Sequence, residues 1–133
     1  MINPSLFLRR AIQADAVVSG AMALLLVTGA GALAPFLNLP EAFLRSTGLV
    51  LVVYAALVGF LGTRGMMPRT AVWAVIAVNA MWTVDSIALL MSGWVSPNLF
   101  GQAFIVMQAI AVGIFAELQF IGLRKSASPF AIN

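Results

Sequence analysis

One carboxylate lies inside a long apolar run, with no cation near it in the sequence. The run is NAMWTVDSIALL, residues 79–90, and no lysine, arginine or histidine occurs within fifteen residues of Asp85 on either side. A lone charge at the centre of a membrane helix costs roughly 2.5–3.5 kcal/mol. Two kinds of chemistry would explain such a residue: binding of a proton or substrate, or a permanent ion pair with a cation from another segment.

Arg45 is the cation that helical geometry places nearest to Asp85. Asp85 lies sixteen residues past Arg69, roughly 24 Å along a helix, and Arg45 lies four residues past Glu41, roughly 6 Å below the opposite edge. Both residues belong to stripes of mostly small side chains, which let helices approach closely in lipid. We therefore predict an intramembrane ion pair between Arg45 and Asp85, assisted by Gln102.

Two roles are open for the predicted pair. A structural pair would only fix the register of the helices, whereas a functional pair would belong to a substrate or proton site. Trp82, three residues before Asp85, either donates its indole N–H to that carboxylate or faces lipid. Nearer the middle of the membrane, three side chains are expected to form interhelical hydrogen bonds worth about 1 kcal/mol each, with pore lining as the alternative. They are Asn79, Gln108 and Tyr54.

A second polar group is predicted near the opposite edge of the membrane. Asp15 is five residues past Arg10, roughly 8 Å deep, and Glu117 is seven residues before Arg124, roughly 10 Å deep. Long basic side chains bend toward such partners. These four residues are expected to form a salt-bridge cluster that ties the first helix to the last. The alternative is a polar vestibule whose carboxylates bind a cation.

The residue types that are absent exclude several functions. The chain has no cysteine and no histidine. Their absence excludes disulfides, thiol catalysis, bis-histidine haem and most zinc sites. Hydroxyl residues without a histidine base cannot form a conventional nucleophilic triad. No glycine-rich loop suggests nucleotide binding, and the arginines form no patch with interleaved aromatics that would suggest nucleic acid. We expect no metal, no cofactor and no enzymatic activity.

The composition indicates that the segments carrying these residues lie in lipid. Of the 133 residues, 62% are hydrophobic and 8% are charged, whereas soluble domains carry roughly 25% charged residues. Four apolar runs are long enough to cross a bilayer as helices. Short connections with turn residues join them. The sequence predicts an all-α, antiparallel four-helix bundle in a single domain, 1–133, with spans at about 11–37, 41–63, 70–94 and 99–123.

The basic residues predict the orientation of this bundle. Six of the seven fall on one side of a four-span arrangement, and only Arg45 lies near the other side. Basic residues concentrate on the cytoplasmic side of membrane proteins, so both termini are expected there. The six are Arg9, Arg10, Arg64, Arg69, Arg124 and Lys125.

A shift of about 60 residues aligns several positions of the two halves. Asn38 then meets Asn98, and Phe60 and Arg64 meet Phe120 and Arg124. The match suggests two repeated helical hairpins. Chance matching between alanine-rich and glycine-rich helices is the alternative, and the match does not extend to the acidic residues.

Three segments carry a resemblance to a known group of proteins. They are RRAIQADAVVSG, SGWVSPNLFGQAF and AELQFIGLRK. Together with the four-span layout, they resemble a family of small bacterial inner-membrane proteins to which no function is attached. The resemblance implies a multi-pass protein of the bacterial inner membrane and supplies no activity.

Three functions are compatible with the sequence. The first is a non-enzymatic accessory or interaction bundle that forms a homo-oligomer or joins a larger membrane complex. The second is a small oligomeric transporter or channel that uses the intramembrane charges. The third is a protein that binds lipid or a hydrophobic ligand in a cleft between the hairpins. A closed, dry bundle with Arg45 bonded to Asp85 would weigh against transport, and a water-filled cavity reaching an unpaired Asp85 would weigh for it.

Overall fold

The computed structural model describes residues 1–126, which form four α-helices. These are α1 (Leu6–Leu37), α2 (Glu41–Thr63), α3 (Arg69–Ser92) and α4 (Leu99–Arg124). The four predicted spans agree with these bounds to within two residues at every end but one. Helix α1 begins five residues before the predicted start at residue 11. The last seven residues of the predicted domain lie outside the described residues.

Short polar side chains cap the first turns of α1 and α4, whereas α2 and α3 each begin directly after a proline. The first N–H groups of a helix have no partner within it, and a side-chain oxygen just before the helix can accept from one of them. Ser5 Oγ accepts from the backbone N–H of Leu8 at 3.1 Å, and the side-chain oxygen of Asn98 accepts from that of Gly101 at 2.9 Å. Helix α1 ends at Asn38, whose φ of 56° is the left-handed conformation common after helices.

One end of the bundle brings the N-terminal residues together with the α2–α3 connection and the end of α4. The backbone N–H of Ile2 donates to the carbonyl of Met67 at 2.7 Å, and the N–H of Met67 donates back at 3.0 Å. The N–H of Ser5 donates to Ser126 Oγ at 2.9 Å. These bonds fix the positions of three separate chain segments at this end.

At the other end, the α1–α2 and α3–α4 connections bond to each other reciprocally. The Asn38 amide nitrogen donates to the carbonyl of Ser96 at 2.6 Å, and the Asn98 amide nitrogen donates to the carbonyl of Phe36 at 2.8 Å. A shift of 60 residues along the sequence relates the two bonds, because Asn38 then corresponds to Asn98 and Phe36 to Ser96. The two connections are therefore held together by a pair of equivalent contacts.

Glycines let the helices approach closely. A Cβ atom placed on Gly48 of α2 would lie 2.9 Å from Leu26 Cβ, and one on Gly122 of α4 would lie 2.7 Å from Leu8 Cα. Both distances are shorter than real side chains tolerate, so a larger residue would separate the helices. Helix α1 thus packs closely against both α2 and α4, and α4 packs in turn against α3.

The exterior of the bundle is apolar. Large hydrophobic side chains on every helix are largely exposed, for example Val17, Leu57, Met81 and Met107. Such a surface is unfavourable in water, whereas lipid accommodates it. All four helices are long and apolar enough to cross a membrane. The fold therefore has the features of a multi-pass membrane protein.

Candidate functional site

The polar centre of the molecule is a buried carboxylate that accepts four hydrogen bonds. Asp15 is only 1% exposed. Its Oδ1 accepts from Ser19 Oγ at 2.9 Å. Its Oδ2 accepts from the Tyr54 hydroxyl at 2.7 Å, from Asn79 Nδ2 at 2.9 Å and from Gln119 Nε2 at 2.8 Å. Because these donors come from α1, α2, α3 and α4, all four helices meet at one carboxylate.

The donors around Asp15 also bond to one another. Asn79 Nδ2 donates to Gln119 Oε1 at 2.9 Å, and the Tyr54 hydroxyl lies 3.0 Å from Asn79 Oδ1. A hydroxyl has a single proton, so Tyr54 donates to either Asp15 or Asn79 at any moment. We call Asp15, Ser19, Tyr54, Asn79 and Gln119 the Asp15 network. Within residues 1–126, no basic side chain forms an ion pair with it.

A second hydrogen-bonded group lies farther along the bundle and joins α3 to α4. Trp82 Nε1 donates to Gln108 Oε1 at 2.8 Å, and Gln108 Nε2 donates to Ser86 Oγ at 2.9 Å. Ser86 Oγ in turn donates to the carbonyl of Trp82 at 2.7 Å. Trp82 therefore bonds to Gln108, and not to Asp85.

Two adjoining cavities lie between the helices. The larger has a volume of about 450 Å³ and the smaller about 280 Å³. Side chains from all four helices line both cavities. Tyr54 and Asn79 of the Asp15 network line the larger cavity, and Asp85 lines the smaller one. Five residues line both and so form the boundary between them: Met22, Leu51, Trp82, Phe104 and Gln108.

The predicted ion pair between Arg45 and Asp85 is wrong. Arg45 bonds to Glu41, one turn earlier on α2, at 2.8 Å, and this is the one salt bridge among residues 1–126. Asp85 is exposed and makes no hydrogen bond to another described residue. The reason lies in the rotation of α3. Asn79 must face inward to reach Asp15, and Asp85, six residues later at about 3.6 residues per turn, falls on a different face.

The small-residue stripe assigned to Asp85 consequently lies off the buried face of α3, although Asp85 and Val78 each line one of the two cavities. Val78 is 44% exposed and Met81 is 65% exposed. The buried face of α3 is formed by Val72, Val75, Ile76, Asn79 and Ser86. Gln102, predicted to assist the pair, is exposed, and its amide donates to the carbonyl of Pro97 at 3.3 Å.

The predicted salt-bridge cluster of Asp15, Glu117, Arg10 and Arg124 is also wrong for the described residues. Asp15 does tie the first helix to the last, but it does so through the neutral amide of Gln119. Glu117 and Arg10 are exposed, and the Arg124 guanidinium lies over the Phe120 ring, 5.8 Å from its centre. The five-residue spacing of Arg10 and Asp15 explains the error. At 3.6 residues per turn, five residues rotate a side chain by about 140°, so Arg10 is exposed while Asp15 faces the interior.

The three side chains predicted to bond between helices do contact other helices. Tyr54 and Asn79 belong to the Asp15 network, and Gln108 bonds to Trp82. Sequence reasoning did not select Gln119 or Ser19 as site residues. Gln119 lies five residues before Arg124, and Asp15 lies five residues after Arg10. This equal spacing predicts a similar depth for both side chains and could have identified Gln119 as a partner of Asp15. Ser19 is one turn after Asp15 on the same helix face.

The lack of a contact between Arg45 and Asp85 leads to a testable prediction. Asp85→Asn and Arg45→Gln should each change the free energy of unfolding by less than about 0.5 kcal/mol, because both residues are exposed and the Arg45–Glu41 pair is a surface pair. The double variant should show the sum of the two effects. Unfolding by SDS of all three variants measures this. Recovery of stability in the double variant would show that the two residues do interact.

The chain was also compared with known proteins. No protein-family model, curated protein or solved structure matches it.

Proposed function

We propose that this chain is a multi-pass membrane protein that binds a lipophilic small molecule inside its four-helix bundle. The observation that carries the proposal is the pair of adjoining cavities of about 450 and 280 Å³. Ligand sites in proteins are commonly concave, mostly apolar and of about 300–1,000 Å³, with a few polar groups at fixed positions. The two cavities together are in this range.

The walls of the larger cavity support an apolar ligand. They include Met22, Leu51, Phe104, Val112 and Phe115, whose side chains are buried or half-buried and offer no hydrogen bond. The polar groups that reach this cavity are already bonded, since every buried side-chain nitrogen and oxygen in residues 1–126 has a partner. The Asp15 network therefore has a structural role in this proposal. It holds the four helices around the space that the ligand occupies.

The proposed orientation is antiparallel, with both termini on the cytoplasmic side of a bacterial inner membrane. Support comes from the clustering of basic residues at one end of the bundle. The Arg9 guanidinium donates to the carbonyl of Gly62 at 2.9 Å, next to Arg64, and Ser5 bonds to Ser126, next to Lys125. A concentration of lysine and arginine on one side is typical of cytoplasmic ends. The resemblance of the sequence to small inner-membrane proteins supports the same location.

A fluorescence experiment tests ligand binding directly. Replacing the exposed Trp73 and Trp94 with Phe leaves Trp82, which lines both cavities, as the only tryptophan. Pyrene, an uncharged apolar fluorophore, is then titrated into the protein in lipid nanodiscs. We expect saturable energy transfer from Trp82 to pyrene. The substitution Ala111→Phe places a ring in the larger cavity and should weaken binding about tenfold, because overpacking costs about 1–3 kcal/mol.

Ala103→Phe is the matched control for this experiment. Ala103 is on the same helix, is exposed and lines neither cavity, so binding should not change. The proposal fails if energy transfer never saturates, or if both phenylalanine variants reduce it equally.

A further inference from the structure

Asp85 is the one polar side chain lining the smaller cavity that has no partner within residues 1–126. The Thr47 hydroxyl donates to the carbonyl of Phe43 at 2.8 Å. The side chains of Trp82, Ser86 and Gln108 bond to one another. Asp85 is the one charged residue that lines this cavity, and its carboxylate accepts no hydrogen bond from residues 1–126.

Aromatic rings line the same cavity as this carboxylate. They belong to Phe43, Trp82 and Phe104. The face of an aromatic ring attracts an organic cation, and tryptophan does so most strongly. A carboxylate with several rings around one apolar space is an arrangement that binds protonated or quaternary amines. An inorganic cation is a poorer fit because it needs several oxygen ligands. The described residues hold no group of three or more acidic, histidine or cysteine side chains.

Among residues 1–126, no basic side chain forms a salt bridge with Asp85. Arg45, the arginine predicted to reach it, bonds to Glu41 and lines neither cavity. A bound organic cation would give the Asp85 carboxylate the charged partner that the described residues do not supply. The larger cavity, which shares five lining residues with the smaller one, would accept the apolar part of the same molecule.

We propose that the ligand is a lipophilic cation, an amine or quaternary ammonium whose positive group binds to Asp85 and whose apolar body occupies the larger cavity. This inference rests on the proposed function, because it specifies the class of molecule that the cavities bind. Asp85 is exposed, so the positive group can reach it from outside the bundle without displacing a helix.

A pair of related probes tests the charge requirement. The probes are (1-pyrenylmethyl)trimethylammonium and uncharged 1-pyrenemethanol, and both are measured by energy transfer from Trp82 in nanodiscs. We expect the cation to bind wild-type protein about tenfold more tightly than the alcohol, as expected for a charge pair supported by aromatic rings. Asp85→Asn should abolish this preference and leave binding of the alcohol unchanged.

Glu117→Gln is the matched control. Like Asp85, Glu117 is exposed and lies seven residues before the last residue of its helix, but it lines neither cavity. This substitution removes the same charge from the membrane protein and should leave the preference for the cation intact. Equal binding of the two probes to wild-type protein would overturn the assignment of Asp85, as would an equal loss in the two variants. Failure of both probes to bind would instead contradict the proposed function itself.

Discussion

Asp15→Ala is expected to destabilise the bundle by about 3 kcal/mol or more, the largest loss expected for any polar side chain of this protein. The substitution removes the acceptor of four hydrogen bonds. Donors on all four helices then lack that acceptor. A buried polar group that loses its partner costs about 1–3 kcal/mol, and here four donors lose the same acceptor. The measurement is the free energy of unfolding in mixed micelles with increasing SDS.

Asp15→Asn separates the role of the acceptor from that of the charge. The amide oxygen can accept the three bonds now made to Oδ2, and Ser19 Oγ can turn to accept from the amide nitrogen. We therefore expect Asp15→Asn to retain most of the stability that Asp15→Ala loses. Asp85→Ala is the control, because Asp85 is exposed and unbonded, and its expected loss is below about 0.5 kcal/mol. Equal losses for Asp15→Ala and Asp85→Ala would show that the Asp15 network does not hold the helices together.

Gly122→Ala is expected to cost about 2 kcal/mol, although it adds a single methyl group. The new Cβ would lie 2.7 Å from Leu8 Cα and 2.9 Å from Leu8 Cβ. A backbone atom cannot move aside as a flexible side chain can, so α1 and α4 would have to separate. Overpacking of this kind costs about 1–3 kcal/mol. SDS unfolding measures the loss, and the yield of folded protein in membranes should fall with it.

Gly29→Ala provides the comparison for this substitution. A Cβ at Gly29 would meet only Leu25 and Leu33 of its own helix, at 3.6 and 3.7 Å, which are ordinary contact distances. The free energy of unfolding of the Gly29→Ala variant should differ from that of the wild type by less than about 0.5 kcal/mol. If both alanine variants unfold at the same SDS concentration, the close contact between α1 and α4 does not limit stability.

The helices could be predicted from the sequence because their signal is strong and local. Runs of apolar residues long enough to cross a bilayer are bounded by turn residues, and their ends depend on neighbours in the chain. The early start of α1 at Leu6 was missed because Arg9 and Arg10 lie within its first turns. A helix can extend through charged residues at the edge of a membrane into the interface. The start of the apolar run therefore did not mark the start of the helix.

The site could be predicted only in part, because it depends on the rotation of each helix about its own axis. Asn79 and Asp85 lie six residues apart on α3, and only one of them can face Asp15. Their spacing alone does not select which one. The expectation that opposite charges pair favoured Asp85 with Arg45. In the structure, the buried carboxylate of Asp15 instead accepts hydrogen bonds from neutral hydroxyl and amide groups. The predictions of an accessory bundle or a transporter stay predictions. An Asp85 that is unpaired among the described residues and lies beside a cavity is compatible with transport, and the apolar walls of both cavities favour the ligand-binding alternative.

The reciprocal bonds of Asn38 and Asn98 have a consequence for biosynthesis. Each asparagine amide donates to the connection of the other hairpin, so neither turn has its full set of bonds until both hairpins are present. Because the first two helices are synthesised before the last two, we expect them to insert while the Asn38 amide still lacks its partner at Ser96. We therefore expect docking of the two inserted hairpins to be a separate, later step of assembly.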